Sequence, residues 1–352
     1  MKTIRKISQL QKLGLIKAEN VKDIEKVAEN FSVALPAYLI DTINSETPEN
    51  QAALLKQFLP TEAELNIMDV ELNDPIGDKP HTAVKGVVHR HRDRCLLMPI
   101  TACPVYCRFC FRREKVGLKT NALTKNELKA AYTYIGQHKE IWEVILTGGD
   151  PLILKAKTLQ AILFALEAIE HVEVIRIHTR VPVMDPVRVN AEMIKALKIK
   201  KTVYVVLHTN HPSELTKAAQ EACALFIDNG IPMLSQSVLL KGVNDNLETM
   251  GALMRSLVKN RIKPYYLHHA DLAVGTSHFR TSIQEGQVLL KSLRAHYSGL
   301  CQPTYVLDIP GGYGKVPIGY HYLAPQKCSS GAPQHYWVED HHAELHDYQG
   351  EQ

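Results

Sequence analysis

Short apolar segments of strand length alternate with longer helical segments from about residue 94 onward. The candidate strands are nearly continuous in apolar residues, which is typical of parallel strands buried on both faces. The predicted strands are Cys95–Ile100, Glu143–Leu146, Val174–His178, Val203–His208, Met233–Val238, Tyr265–His268 and Thr304–Asp308. The predicted helices between them are Lys125–Gln137, Thr158–Ile169, Ala191–Leu197 and Glu214–Asn229. This alternation predicts an α/β fold, either a full or partial barrel or a doubly wound open sheet.

The N-terminal part of the chain, up to about residue 75, has helical rather than strand periodicity. The stretch from Val21 to Phe31 places its apolar residues on one face of a helix. The stretch from Glu46 to Leu65 predicts a pair of helices broken at Pro48 and Pro60. The charged segment from Asp69 to Thr82 is rich in turn residues, so we interpret it as a linker into the sheet.

Composition excludes several classes of protein. The chain has 352 residues, of which 45% are apolar, and this is enough to bury a substantial core. Its 41 Lys and Arg residues against 37 Asp and Glu residues give a net charge of only +4, so charge gives no reason to expect a nucleic-acid or membrane partner. No apolar run reaches about 18 residues, and the N-terminus lacks the features of a signal peptide. We therefore expect a cytoplasmic protein.

Three of the seven cysteines lie within eight residues of one another, directly after a predicted strand. Cys103, Cys107 and Cys110 have a C-x3-C-x2-C spacing, and their thiolates suit zinc or an iron–sulfur cluster. One interpretation is a noncatalytic zinc-binding module in which His89 or His91 completes a Cys3His site. The other is a four-iron cluster held by three cysteines, which leaves one iron open to an exogenous ligand.

Two glycine-rich segments complete the candidate chemistry. Gly148-Gly149-Asp150 follows a predicted strand and is either an ordinary turn or a loop that approaches a ligand. The segment from Pro310 to Lys315 is not a phosphate-binding loop, because Ile309 and Val316 replace the required glycine and hydroxyl residue. A lysine on such a flexible loop suits Schiff-base formation with a carbonyl compound. A solvated surface turn is the alternative.

Together these motifs resemble those of the radical S-adenosylmethionine (SAM) superfamily, and within it the lysine 2,3-aminomutases. The cysteine triplet resembles the signature loop of the superfamily, and the glycine–aspartate segment resembles its SAM-binding loop. The resemblance extends from about residue 20 to about residue 348 through short segments in the same order. These segments are His89–Arg94, Arg112–Arg113, His208–Pro212, Gln236–Leu240, Asp271–Leu272 and His278–Thr281.

The resemblance implies an α/β fold, a partial barrel of the (β/α)6 type. It implies a helical N-terminal region over residues 1–80, the radical SAM barrel over 81–300 and a short C-terminal extension over 301–352 that carries the lysine. We interpret the histidine-rich end as a solvated tail with a little strand character. Its histidines are His335, His341, His342 and His346.

The resemblance also assigns residues to cofactors. Cys103, Cys107 and Cys110 would hold a [4Fe–4S] cluster. Lys315 would form the Schiff base with pyridoxal 5′-phosphate (PLP), and Arg94 would lie near the PLP phosphate. The residues expected along the SAM site are Gly148, Gly149, Asp150, His211 and Gln236.

For the substrate, the resemblance implies L-lysine held by three side chains. Arg112 would bind the carboxylate through its bidentate fork. Asp271 and Asp308 would bind the ε-ammonium, and such a pair selects a long diamino acid over alanine or glutamate. The implied reaction is a radical 1,2-amino migration that interconverts L-lysine and β-lysine. Its implied partners are a flavodoxin or ferredoxin as electron donor and further copies of the chain in a homo-oligomer.

Two branches of the family fit the sequence. One makes β-lysine from free lysine, and the shorter proteobacterial branch makes (R)-β-lysine for attachment to elongation factor P. The chain length and the missing cysteine-rich zinc tail favour the second branch. Asp308 and the complete glycine–lysine segment favour the first, so the stereochemistry and use of the product stay open.

The chain departs from the family at several positions. His91 and His268 stand where members often carry an aromatic residue near PLP, so their roles stay open. Asn246 replaces a cysteine associated with the zinc tail, so we expect no structural zinc. The remaining cysteines are expected to be packing residues or free thiols: Cys95, Cys223, Cys301 and Cys328.

Overall fold

A ten-stranded sheet organises the described part of the chain, which covers residues 3–117, 122–325, 335–340 and 343–349 of the computed structural model. Its strands are β1 (Thr82–Val84), β2 (Val87–His91), β3 (Arg94–Ile100), β4 (Glu143–Gly148), β5 (Val174–Thr179), β6 (Thr202–His208), β7 (Met233–Val238), β8 (Lys263–His268), β9 (Thr304–Ile309) and β10 (Gly314–Pro317). Strands β3 to β9 pair in parallel, whereas β1, β2 and β3 pair antiparallel, as do β9 and β10. All the strands predicted from the sequence are present.

The order of the strands identifies a partial barrel. Neighbouring strands are consecutive in sequence, so the sheet lacks the switch point of a doubly wound fold. Among the described residues no pairing joins β1 to β10, so the barrel is not closed by hydrogen bonds. Its two ends nevertheless approach each other, because a Cβ atom on Gly314 of β10 would lie 3.2 Å from the ring of His91 on β2. The predicted α/β partial barrel is confirmed, and the doubly wound alternative is wrong.

Helices connect the parallel strands and precede the barrel. They are α1 (Ile7–Lys12), α2 (Val21–Asn30), α3 (Ala37–Asn44), α4 (Pro48–Phe58), α5 (Lys125–Gln137), α6 (Ala156–Glu167), α7 (Val181–Met184), α8 (Ala191–Leu197), α9 (Lys217–Asp228), α10 (Leu247–Lys259) and α11 (Ile283–His296). The helices α5 and α8 have the predicted bounds, and α6 and α9 differ from prediction only at their ends.

One hydrophobic core joins the N-terminal helices to the barrel. Leu10 of α1 and Leu54 of α4 belong to the same buried cluster as Val144 of β4 and Leu207 of β6. The N-terminal helices therefore pack against the barrel rather than around a separate core.

Alternate side chains of the strands line the lumen of the barrel. On β5, Ile175 and Ile177 are fully buried on one face, whereas Arg176 and His178 are half-buried on the other. Arg176 pairs across the lumen face with Glu143 of β4 at 2.8 Å. At β4 and β5 the lumen therefore carries charged and polar groups, which can orient a polar ligand.

The predicted helix pair around Pro48 is wrong in detail. Pro48 does not interrupt a helix but is the first residue of α4, behind the N-cap residue Thr47. A proline at this position loses no intrahelical hydrogen bond, because the first N–H groups of a helix have no partner within it. After Pro60 there is only a short 3-10 turn, Glu62–Leu65, instead of a second helix.

The segment from Asp69 to Thr82 leads into the sheet, as the predicted linker does, but two of its acidic side chains are buried. The side chain of Glu71 is buried and pairs with Arg280 at 3.2 Å. The side chain of Asp78 is also buried and pairs with Arg112 at 2.8 Å. These ion pairs attach the segment to the loops that follow β3 and β8. Its turn-rich sequence gave no indication that these side chains would be buried.

The C-terminal tail has more strand structure than its composition suggests. It forms an antiparallel sheet of β11 (Leu323–Pro325), β12 (His335–Glu339) and β13 (Leu345–Gln349). His346 pairs with Asp340 at 2.9 Å. Cys328, His341 and His342 lie outside the described residues. In the described ranges, no helix is both long and apolar enough to cross a bilayer.

Candidate active site

The three clustered cysteines lie together in the loop after β3. All three are free thiols, and they line one pocket with apolar residues such as Val105 and Val116. Burial is the main cause that raises the pKa of each thiol, to about 11 for Cys107. A bound metal cluster favours the thiolates over the thiols and so offsets this cost. Three free thiols in one pocket therefore fit an iron–sulfur cluster.

Neither histidine of the zinc interpretation lines this pocket. The Nδ1 atom of His89 hydrogen-bonds to the hydroxyl of Tyr134 at 2.9 Å, and its ring packs edge-on against His138. His91 lies beside Gly314. The described lining of the cysteine pocket holds no histidine at all, so a Cys3His set is not formed there.

The glycine-rich loop after β4 is fastened to the cysteine loop. The backbone N–H of Gly149 donates to the carbonyl of Ile100, and that of Asp150 donates to the carbonyl of Ala102, both at 2.8 Å. A Cβ atom on Gly149 would lie 2.0 Å from the Ala102 oxygen, and Gly148 has a φ of +107°. Both positions therefore require glycine. The two loops form one unit at the carboxyl ends of neighbouring strands.

Asp150 anchors this unit to the next strand. Its carboxylate accepts hydrogen bonds from the hydroxyl of Thr179 at 2.8 Å and from the backbone of Arg180 at 2.7 Å. Burial raises its pKa to about 6, although these hydrogen bonds favour the ionised form. Its oxygens are therefore engaged with the protein, and Asp150 holds the ends of β4 and β5 together beside the expected SAM site.

Of the two remaining SAM-site candidates, only Gln236 faces the lumen. It lies on β7, and its side chain makes no hydrogen bond to another described residue. His211 is buried, and its Nδ1 atom accepts a hydrogen bond from the backbone of Ser213 at 3.3 Å. His208 is the register partner of Gln236, and its buried Nε2 atom has no partner among the described residues. His208 therefore offers this ring nitrogen beside Gln236, and the place of His211 along the SAM site stays a prediction.

The glycine-rich hairpin places Lys315 on β10 directly opposite Asp308 on β9. The Lys315 ammonium forms an ion pair with the Asp308 carboxylate, and the Nδ1 atom of His268 lies 3.5 Å from both groups. Burial opposes ionisation of Asp308, but the hydrogen bond from His268 and the charge of Lys315 lower its pKa overall. Lys315 also lies 5.8 Å from the ring of Tyr266. The amine therefore lies inside the lumen and is not a solvated surface group.

Asp271 responds to the charges of this cluster and of Arg112, which follows the cysteine loop. Burial, and then the charge of Asp308, raise the pKa of Asp271 to about 7, against the charges of Lys315 and Arg112. Arg112 is buried and donates from Nε to Asp78 at 2.8 Å. Its two terminal nitrogens make no hydrogen bond to another described residue. Asp78 therefore fixes the orientation of the guanidinium through Nε, and the two terminal nitrogens are left to bind a carboxylate.

A group of cations lies at the turn between β2 and β3. Arg94 donates to Asp93 at 2.7 Å. Burial, and then the charges of Arg94, Arg90 and Lys315, lower the pKa of His91 to about 4. A neutral imidazole among three cations is a suitable setting for a phosphate group, which supplies the missing negative charge.

Comparisons with known proteins bear on the same residues. The radical SAM superfamily model matches residues 97–254, which include the cysteine and glycine-rich loops. L-lysine 2,3-aminomutase of Clostridium subterminale is 36% identical over 323 residues, which cover 92% of this chain and 77% of that protein. The chain belongs to the lysine 2,3-aminomutase family.

This lysine 2,3-aminomutase family includes members with different names. The L-lysine 2,3-aminomutase of Escherichia coli K12 is 33% identical over 82% of this chain and 83% of that protein. The glutamate 2,3-aminomutase of Clostridioides difficile is 34% identical over 91% of this chain and 75% of that protein. A solved radical SAM methyltransferase from Sphaerobacter thermophilus has a TM-score of 0.46 and 16% identity over 63% of this chain and 68% of that chain.

As a radical SAM aminomutase, the chain is an isomerase, and its family implies a [4Fe–4S] cluster and SAM. Several groups that the lumen brings to this site have no motif of their own in the sequence. His178 has a buried Nε2 atom without a partner among the described residues. Asp78 accepts a hydrogen bond from Arg112, although it lies in a segment whose composition predicts only a linker. The alternation along β5 was the one sequence feature that could have placed His178 on the lumen side. No sequence feature indicated that Asp78 would contact Arg112.

Proposed function

We propose that the chain interconverts L-lysine and β-lysine by a radical 1,2-amino migration with a [4Fe–4S] cluster, SAM and PLP. The observation that carries this proposal is the ion pair between Asp308 and the amine of Lys315, together with the buried Asp271, whose ionisation responds to the charges of both groups. A buried pair of carboxylates fits the distal ammonium of a long diamino acid. Arg112, with its open fork, fits the carboxylate at the other end.

Residues of the chain also fit the third cofactor. Lys315 would hold PLP covalently, and Arg94 with Arg90 and His91 would hold its phosphate. Bound PLP supplies the π-system that a migrating amino group needs, and the cluster with SAM supplies the hydrogen-abstracting radical. The part of the protein is to hold the substrate in register with these groups and to exclude water.

The same acidic pair argues against glutamate as the substrate. A γ-carboxylate placed near Asp271 and Asp308 would be repelled, and the two carboxylates would lose their cationic partner. This matters because one relative carries the name glutamate 2,3-aminomutase. The choice between the substrates therefore depends on the charge at this end of the lumen.

An anaerobic preparation of the full chain tests the proposal. We expect about four irons per chain, a PLP absorbance band that Lys315→Ala abolishes, and conversion of L-lysine but not of L-glutamate. Lys291→Ala, which removes another partly buried lysine outside the lumen, is the matched control and should retain the band. A colourless protein with bound zinc would contradict the proposal, and turnover of glutamate would contradict the roles of the two aspartates.

The configuration of the product then assigns the branch. Formation of (R)-β-lysine would place the chain with the enzymes that supply elongation factor P. The other enantiomer would favour the metabolic branch. Chiral chromatography of the product separates these outcomes.

A further inference from the structure

Arg180 lies at the end of β5 and points at one of the three clustered cysteines. Its Nη1 atom donates to the Sγ atom of Cys107 at 2.9 Å, and its side chain is only 6% exposed. Among the described residues, no other side chain donates a hydrogen bond to the three sulfurs. The charge of Arg180 is therefore directed at one sulfur of the triplet.

The guanidinium of Arg180 is held rigidly in this position. Its Nη2 atom donates to Gln57 at 2.9 Å and to Glu214 at 2.6 Å. The rings of Phe58 and Phe109 lie 4.8 Å and 5.4 Å from its central carbon. A planar group with hydrogen bonds along its edge and rings on its faces has little freedom to rotate.

The partners of Arg180 are themselves buried and satisfied. Gln57 of α4 and Glu214 after β6 are at most 1% exposed, and they hydrogen-bond to each other at 3.2 Å. Glu214 also accepts the backbone N–H groups of Asn210 and His211, both at 3.0 Å. Three separate parts of the chain thus converge on one buried cation. Packing alone does not call for such a charged network, since apolar residues would fill the space at lower desolvation cost.

We propose that Arg180 is a positioning residue that raises the reduction potential of the cluster through Cys107. The inference rests on the proposed function, because it takes Cys107 to be a cluster ligand. A low-potential one-electron donor transfers one electron to the [4Fe–4S]2+ cluster and gives [4Fe–4S]1+. The reduced cluster carries one more negative charge, so a fixed cation and a hydrogen bond at a ligating sulfur stabilise it selectively.

Three variants test the sign of the effect. Arg180→Gln removes the cation and should lower the potential. Arg180→Lys keeps the charge but loses the fork, so it should lower the potential less. Glu214→Gln removes the neighbouring anion and leaves Arg180 in place, so it should raise the potential. A general disturbance of the loop would not raise the potential in Glu214→Gln while it lowers the potential in the two Arg180 variants.

The measurement is an electron paramagnetic resonance titration of the reconstituted full chain with dithionite, in the absence of SAM. At the midpoint of the wild-type chain, Arg180→Gln should decrease the ratio of reduced to oxidised cluster about tenfold, which corresponds to about 59 mV for a one-electron couple. Equal midpoints in wild type and Arg180→Gln, or shifts of the same sign in Arg180→Gln and Glu214→Gln, would overturn the inference while the proposed function stands. Loss of the cluster from all three folded variants would also overturn it, because the network would then be only a clamp for the loop. A wild-type chain without any cluster would instead refute the proposed function.

Discussion

Asp271 is expected to give the reaction a pH dependence in the neutral range. Burial and the charge of Asp308 raise its pKa to about 7, and only its ionised form attracts the ammonium of the substrate. Since kcat/KM reports ionisations of the free enzyme, kcat/KM for L-lysine should fall about tenfold per pH unit below this pKa. The charge of Lys315 opposes the upward shift. The midpoint of the holoenzyme is therefore expected near pH 7.

Asp308→Asn tests the cause of this dependence. It removes the neighbouring charge that raises the pKa of Asp271, so the midpoint of the residual activity should move to lower pH. This control is needed because Asp150, with a pKa of about 6, could also cause the fall of kcat/KM at low pH. The assay is the initial rate of β-lysine formation from about pH 6 to about pH 9, with the iron content checked at each pH. A flat profile in wild type, or a midpoint that stays fixed or rises in Asp308→Asn, would refute the reasoning.

Three further substitutions probe separate parts of the site. Gly149→Ala places a methyl group 2.0 Å from the carbonyl oxygen of Ala102; overpacking costs about 1–3 kcal/mol, so iron content and melting temperature should both fall. Glu64→Gln leaves two buried arginines without their anion, and urea denaturation should show a loss of about 3–5 kcal/mol, whereas the exposed Glu62→Gln should change little. Arg112→Lys loses the fork, so KM for L-lysine should rise about tenfold at unchanged iron content, and an unchanged KM would contradict its role.

The barrel could be predicted because its strands are local in sequence. The predicted strand Val203–His208 matches the observed strand to within one residue, since a short, nearly continuous apolar run is itself the signal of a buried strand. The antiparallel strands β1, β2 and β10 escaped prediction. Val87–His91 carries two histidines and an arginine, and Gly314–Pro317 carries a glycine and a proline, so neither has strand composition. Pairing with β3 and β9 stabilises them, and the sequence of one strand does not reveal its partner.

In the candidate site, too, residues close together in sequence could be predicted, whereas contacts between distant parts of the chain could not. Cys103, Cys107 and Cys110 are recognisable from their spacing alone, because a short loop must bring them together. Arg180 reaches Cys107 from 73 positions further along the chain, and nothing in its own surroundings marks it. Likewise, no sequence feature marks the buried Nε2 atom of His208, which has no partner among the described residues, and the role predicted for His211 at the SAM site stays a prediction.

Two buried networks explain why the N-terminal helices belong to the site. Glu64 binds Arg108 and Arg113, which lie within and just after the cysteine loop. Gln57 binds Arg180, which contacts the middle cysteine. In both cases an uncharged or acidic group from the N-terminal region accepts hydrogen bonds from a buried arginine, and its removal would leave those donors unpaired. The barrel strands alone therefore cannot hold the cysteine loop in this arrangement. Because the region contacts the cysteine loop and Arg180 through charge as well as packing, its contribution is to the arrangement of the three cysteines and not only to the stability of the fold.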